Sequence, residues 1–476
     1  MDEKKFYITT PIFYPNANLH LGHAYVTTLS DVLARYHRLM GDKTYFLTGS
    51  DENAQTVVQG AQKAGVDFKS FVDERIEKNF KPLFADLNIS NDQFIRTSDQ
   101  KAHWPGAVAL WKKLVDAGDI YKKEYEGLYC IGHEAFITEK ELVDGKCPDH
   151  GTVPERTKEE NYFFSLSKYT GVIKQKIESD ELLIVPPSRR NEILSLLEQG
   201  LQDVSFSRPA AKVPVGIPVP GDESQVMYVW CDALANYITA LGYGREDDSL
   251  FKEFWPGIHV IGKDILRFHA AIWPGMLLSA GLPLPKAILV HGMIISGGKK
   301  MSKTRGNVID PQELLKEYGT DAVRYFLSRH VSPLDDSEMT LELLKDAYNA
   351  DLANGLGNLS ARIMQLAETH LAQGTRPDVA GFPKEYTDAM ESFEINKAAE
   401  FVWSRIQALD QKITETAPFK LVKTDPEAGK KIIFDLTQGL YLIGRMLNPF
   451  MPDTSKIIKD AVVENNKPQN LFARKD

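Results

Sequence analysis

Two histidines, His20 and His23, flank Gly22 in the stretch PIFYPNANLHLGHAY (11–25). Asn16 and Asn18 precede them, and asparagine is a preferred residue at helix starts, so the pair is expected at the mouth of a helix. Unpaired main-chain N–H groups and the helix dipole favour phosphate there. Two imidazoles can donate further hydrogen bonds to it, and a glycine lets a flat ring lie against the backbone. The plainer reading is a capped helix with two incidental histidines, and the stretch alone does not separate the two. Zinc is a poorer account, because no further ligand is close in sequence.

A second constellation is cationic. GGKKMSKTRGN (297–307) sets Lys299, Lys300, Lys303 and Arg305 within seven residues, behind two glycines. A loop of this kind after a strand can close over a polyphosphate and neutralise charge as a transition state forms; the alternative is a solvated basic turn. A third constellation pairs Cys130-x2-His133 with Cys147-x2-His150. Two ligand pairs joined by a short polar loop fit a closed tetrahedral Cys2His2 zinc site, structural rather than catalytic, against an ordinary metal-free loop.

These residues must be positioned by something. KKFYITT (4–10), KTYFLTG (43–49), IHVIGK (258–263) and KAILVHG (286–292) are continuous apolar runs of the length of strands buried on both faces of a parallel sheet. HAYVTTLSDVLARYHRLMG, closed by Gly41, reads as a helix between the first two, and DILRFHAAIWPGMLLSAG as one between the last two. This βαβ grammar predicts a doubly wound α/β domain, Rossmann-like, whose ligands sit outside the carboxyl ends of the strands. Each run ends there in polar, glycine-bearing or aromatic residues.

The two strand pairs are separated by far more chain than one crossover needs, so an insertion is expected at 116–205, with the catalytic domain in halves 1–115 and 206–290. A connecting region, 291–343, carries the cationic loop. From 344 to 476 long 3.6-period apolar patterns predict an all-α helix bundle. The length, 476 residues, suits several domains. No apolar run is long enough to span a membrane, the N-terminus does not read as a secretory signal, and three cysteines suit a reducing cytoplasm. A net charge of −9 says little about an RNA partner, because local patches decide.

HLGH (20–23) resembles the first signature of the class I aminoacyl-tRNA synthetases, and KMSKT (300–304) resembles the second. TPIFYPNANLHLGHAY, FLTGSDEN, MYVWCDALANY, IGKDILRFHA and HGMIISGGKKMSK are similar to the methionyl-tRNA synthetase family, and the resemblance runs from near residue 4 to the end of the chain. It implies ATP with Mg2+, L-methionine and tRNA(Met) as partners. His20, Gly22 and His23 would bind ATP with Lys300, Met301, Ser302, Lys303 and Thr304, the lysines gripping the departing pyrophosphate. The methionine pocket maps onto Ile12, Tyr14, Trp230, Ala233, Leu234, Tyr237, Ile265, Phe268 and His269, with Asp51 on the ammonium and Asp264 at the pocket wall or ribose.

The family's zinc knuckle would fall in the insertion, on Cys130, His133, Cys147 and His150. Its anticodon readers would be Asn358, Arg362 and Phe419 in the bundle. Departures from the family pattern are Leu21 for Ile, Leu234 for Pro, Thr304 for Ser, histidine for cysteine in the knuckle, and Phe419 for Trp. The insertion is too short for the editing domain of the synthetases for larger aliphatic amino acids. A small-molecule nucleotidyltransferase would not need the bundle, and a catalytically silent tRNA binder would not need both signatures. Because family members with an appended C-terminal domain dimerise through it and this chain stops soon after the bundle, a monomer is expected.

Overall fold

A computed structural model describes the chain except residues 1–2, 131–134, 138, 140–141, 149–150, 297, 301–308, 375–376 and 378–380. It divides into two compact units, Met1–Leu19 with Thr44–Pro82 and Asn91–Val290, and His20–Lys43 with Leu83–Ser90 and His291–Asp476.

The four apolar runs are strands of one sheet. In chain order its members are β1 (Lys5–Phe13), β2 (Lys43–Ser50), β3 (Gln93–Arg96), β4 (Leu183–Val185), β5 (Ile258–Gly262) and β6 (Ala287–His291). Their order across the sheet is β3-β2-β1-β5-β6-β4. The pairing is parallel, with Ile8 opposite Ile258, Leu47 opposite Gln93 and Leu289 opposite Val185. Tyr7, Ile8, Phe46, Leu47, Val260, Ile261, Ile288 and Leu289 have almost no exposed surface, as a sheet covered on both faces requires.

β1 and β5 are neighbours in the sheet although remote in sequence, so the chain between them is an excursion. Part of that excursion returns: β4 comes from within it and forms one edge of the sheet. Three residues are too few to carry a periodicity, which is why the sequence did not announce this strand. The rest holds an antiparallel sheet in the order Ala135–Ile137, Ile120–Cys130, Glu155–Phe164, Val204–Ser205. Its long pair runs from Ile120 opposite Phe164 to Tyr129 opposite Glu155.

The second unit opens with the helix Leu21–Met40, which ends at Gly41 in the left-handed conformation (φ 89°). A short hairpin pairs Ile295 with Lys300, and Ile294–Ser296 also runs parallel to Ser337–Glu338. The helices Asn358–His370, Ile395–Thr416, Pro426–Leu447 and Pro452–Glu464 form the C-terminal bundle, around Leu359, Ile363, Val402, Ile406, Leu436 and Leu440. Among the described residues no helix is long and apolar enough to cross a membrane.

Candidate active site

His20 is the N-cap of the helix Leu21–Met40, a role expected of Asn16 or Asn18. Its Nδ1 accepts the amide proton of Gly22 at 3.0 Å, and Nδ1 of His23 accepts that of His20 at 3.0 Å. This is a reciprocal capping box built from imidazoles, where hydroxyls and carboxylates normally serve. Because each Nδ1 is an acceptor, Nε2 is the protonated nitrogen of both rings. The rings stack, with centroids 3.8 Å apart. Burial, and then the neighbouring His20, hold His23 well below the usual imidazole pKa. A Cβ at position 22 would lie 2.9 Å from Cε1 of His20, so glycine there admits the capping ring.

In the first unit, the carboxyl ends of β1, β2 and β5 lead to the other predicted residues. Ile12 belongs to β1 itself, and Tyr14 follows it. Asp51 follows β2, nearly buried, its amide bonded to the carbonyl of Phe13 at 2.9 Å. The helix Val229–Thr239 carries Trp230, Ala233, Leu234 and Tyr237, a spacing that puts all four on one face. After β5 a tight turn holds Asp264, which is exposed, and Ile265, and a π-helical turn, Phe268–Ile272, brings in Phe268 and His269. Such turns recur at functional sites.

The aromatic residues meet. Trp230 and Phe268 stack at 3.8 Å with planes 6° apart. His269 stands edge-on to Trp230 at 6.1 Å, and its Nε2 lies 2.7 Å from the Tyr237 hydroxyl. Burial lowers the His269 pKa to about 4. Burial also raises that of Tyr237, with Asp51 close enough to add to the effect. Ile12, Tyr14, Trp230, Ile265 and Phe268 are only partly buried and line the edge of the main core. An apolar, aromatic recess with one carboxylate beside it suits a small zwitterion bearing a soft apolar side chain.

A buried polar network backs this recess, and the sequence reading missed it. Asn53 Nδ2 donates to Asp232 Oδ2 at 2.7 Å and to the Thr97 carbonyl at 3.1 Å. Asp232 Oδ1 meets His103 Nε2 at 2.5 Å, and His103 Nδ1 meets Thr239 Oγ1 at 2.7 Å. The Glu52 amide donates to Thr97 Oγ1 at 2.8 Å, and Arg96 holds the Glu52 carboxylate through Nε at 2.7 Å. The one available signal was a carboxylate inside the apolar helix VWCDALANY, where a buried charge needs partners.

The cationic loop is described only at its edge: Lys300 ends the hairpin strand Lys299–Lys300, and Met301, Ser302, Lys303 and Thr304 lie outside the described residues. His133 and His150 also lie outside them. Cys130 and Cys147 are buried and reduced, and among the described residues no three His, Cys, Asp or Glu side chains converge as metal ligands. In the bundle, Asn358 is exposed and Arg362, one turn on, makes an ion pair with Asp410. Phe419 is 44% exposed on the helix Pro418–Thr424.

A family model described as class I tRNA synthetases (M) matches residues 6–153 and 150–364, and one described as the anticodon binding domain of methionyl tRNA ligase matches 367–472. The chain is 42% identical over 475 residues to the methionine–tRNA ligase of Clostridium acetobutylicum, covering 96% of this chain and 73% of that protein. It is 43% identical to that of Caldanaerobacter subterraneus subsp. tengcongensis, covering 95% and 73%. Mycobacterium tuberculosis methionyl-tRNA synthetase in complex with methionyl-adenylate superposes with a TM-score of 0.90 at 35% identity, covering 99% of this chain and 100% of that one.

Proposed function

The chain belongs to the methionyl-tRNA synthetase family, and on that premise we propose how its own residues carry the family's reaction, the ATP-dependent activation of L-methionine and its transfer to tRNA. The observation that supports the assignment best is the Trp230–Phe268 stack with the Tyr237–His269 hydrogen bond beside it. At 3.8 Å the two stacked rings are in contact, so a thioether packs against their outer surface rather than between them. Sulfur favours such aromatic surroundings. Ile12, Tyr14, Ala233, Leu234 and Ile265 complete the apolar wall, and Asp51 holds the ammonium.

The methionine carboxylate attacks the α-phosphorus of ATP and displaces pyrophosphate. A carboxylate is already anionic, so no general base or enzyme nucleophile is needed, and catalysis consists of positioning and charge stabilisation. The Nε2–H groups of His20 and His23 and the helix N-terminus they cap donate to phosphoryl oxygens, with ATP entering as its Mg2+ complex. Gly22 accepts the adenine. Lys300 and Lys303, with Met301, Ser302 and Thr304 shaping the loop, stabilise the departing pyrophosphate.

We assign 1–115 and 206–290 to the catalytic halves, 116–205 to the connective insertion, 291–343 to the signature loop and stem contact, and 344–476 to anticodon binding. In the last, Asn358 and Arg362 read base edges and Phe419 provides a stacking plane, as single-stranded RNA recognition requires. Cys130, His133, Cys147 and His150 hold a structural zinc; the two buried, reduced cysteines supply fitting thiolate donors. We read the chain as a cytoplasmic monomer, which light scattering of the purified protein checks.

The test is methionine-dependent ATP–pyrophosphate exchange. Asp51→Asn should lose at least tenfold in kcat/KM for methionine, and Lys303→Ala should lose mainly kcat. Unchanged exchange in both would overturn the assignment.

A further inference from the structure

We propose that Asn53 and Asp232 form a ruler that fixes the spacing between the ammonium and thioether subsites, and so selects amino acids by the number of methylenes between them. The inference rests on the methionine site proposed above and extends it to two residues that line neither subsite.

The helix Val229–Thr239 presents two functions on different faces. Trp230, Ala233, Leu234 and Tyr237 fall on one stripe, whereas Asp232 falls off it. Asp232 is 1% exposed and spends both carboxylate oxygens on partners, Oδ1 on His103 and Oδ2 on Asn53. Asn53 is two residues from Asp51 in the loop after β2, and Glu52 between them is clamped by Arg96 and Thr97. The loop that holds the ammonium partner is thus bolted to the helix that makes the thioether wall by one side-chain hydrogen bond. His103, fully buried, backs it through Thr239 of the same helix.

This geometry addresses a weakness of the recess. An apolar pocket alone separates substrates differing by one methylene by only roughly 10–200-fold, and less when its walls can shift. With the loop and the helix locked together, a side chain one methylene short leaves the recess unfilled or the ammonium displaced, and one methylene long forces the two apart. Asn53 and Asp232 are positioning residues, acting through Asp51 and the aromatic wall.

The experiment measures ATP–pyrophosphate exchange with methionine, S-methylcysteine (one methylene shorter), homomethionine (one longer) and norleucine (equal length, no sulfur). Asn53→Leu removes the donor at similar size, and Asp232→Asn keeps the size but leaves one acceptor oxygen where the carboxylate offers two, so the Asn53 and His103 contacts can no longer both be accepted. Both should raise KM for methionine with little change in KM for ATP. Both should lower the preference for methionine over S-methylcysteine and homomethionine about tenfold, while the preference over norleucine stays within twofold.

Loss of all four substrates by one common factor would overturn the ruler, since general loosening makes no distinction of length. His103→Gln is the third variant should Asp232→Asn not fold; failure of all three to fold would make the network a folding element and also overturn it. Asp51→Asn and Trp230→Ala separate the two levels. If they spare methionine activation, the site reading falls and the ruler with it. If they damage it while the Asn53 and Asp232 variants keep their length preference, only the ruler falls.

Discussion

The Tyr237 hydroxyl donates to Nε2 of His269 at 2.7 Å, and the direction is set by the other side of the ring, where Nδ1 meets the Ile265 carbonyl at 3.0 Å. A carbonyl only accepts, so Nδ1 carries the proton and Nε2 is the acceptor. This buried polar contact beside the aromatic wall is therefore between neutral groups, which suits a neutral thioether.

That contact predicts a pH dependence. His269 titrates at about 4 in the folded chain because burial disfavours its charged form, against about 6.5 when unfolded. Between those values the unfolded chain binds more protons, so stability rises with pH across roughly 4–6.5 and is level above. The span is on the order of 3 kcal/mol. His269→Asn should flatten that part of a denaturant-unfolding series, and methionine KM in the wild type should show no inflection from this group between about pH 6 and 8.

His20 both caps a helix and is assigned to phosphate binding, and two substitutions separate these tasks. His20→Ala should lower stability by about 0.5–2 kcal/mol through the lost cap and also lower kcat. His20→Asn restores a side-chain acceptor for the Gly22 amide but not the imidazole N–H, so melting should recover while kcat stays low. Recovery of both would leave His20 a cap and nothing more.

Arg324 in the second unit is wholly buried. It pairs with Asp31 at 2.7 Å and donates to the carbonyls of Leu87, Pro449 and Phe450. Burial pushes the Asp31 pKa up, but Arg324, Arg35 and hydrogen bonds from Ser90 outweigh it, leaving the carboxyl below its usual value. Removing Arg324 leaves Asp31 with Arg35 and Ser90 but takes the guanidinium from the carbonyls of Leu87, Pro449 and Phe450 and from a buried ion pair, so Arg324→Met should cost about 3–5 kcal/mol, read as a lower melting temperature. The contribution of Asp31 is present above the ordinary carboxylate pKa and is lost as pH falls through the depressed one.

The zinc assignment predicts close to one equivalent of the metal in protein purified without chelator. Cys130→Ser or Cys147→Ser should abolish it and expose the insertion to proteolysis, because a structural zinc site contributes directly to folding. Metal-free wild-type protein with an equally protected insertion would count against the site.

Much of the α/β fold was legible in sequence because its signals are local. Apolar runs marked four of the six sheet strands, and Gly41 marked a helix end. β4 was not legible, since three residues joining an edge strand are specified by their partner rather than their own pattern. The cap was misread for a related reason: Asn16 and Asn18 have the better propensity, yet His20 stands at the register where its ring reaches the amide of Gly22.

The sequence by itself determined which residues the proposed chemistry is assigned to: the imidazole pair, the lysine loop, the aromatic stripe of Val229–Thr239 and the carboxylate of Asp51. Each is a matter of residue type and spacing along a few turns or strands. Only the tertiary structure decided that Asn53 meets Asp232, that His103 backs them, and that Arg324 joins Asp31 to the turn before the last bundle helix. Those contacts span residues far apart in the chain, and a buried polar group finds its partner by where the packed core puts it, not by its neighbours in sequence.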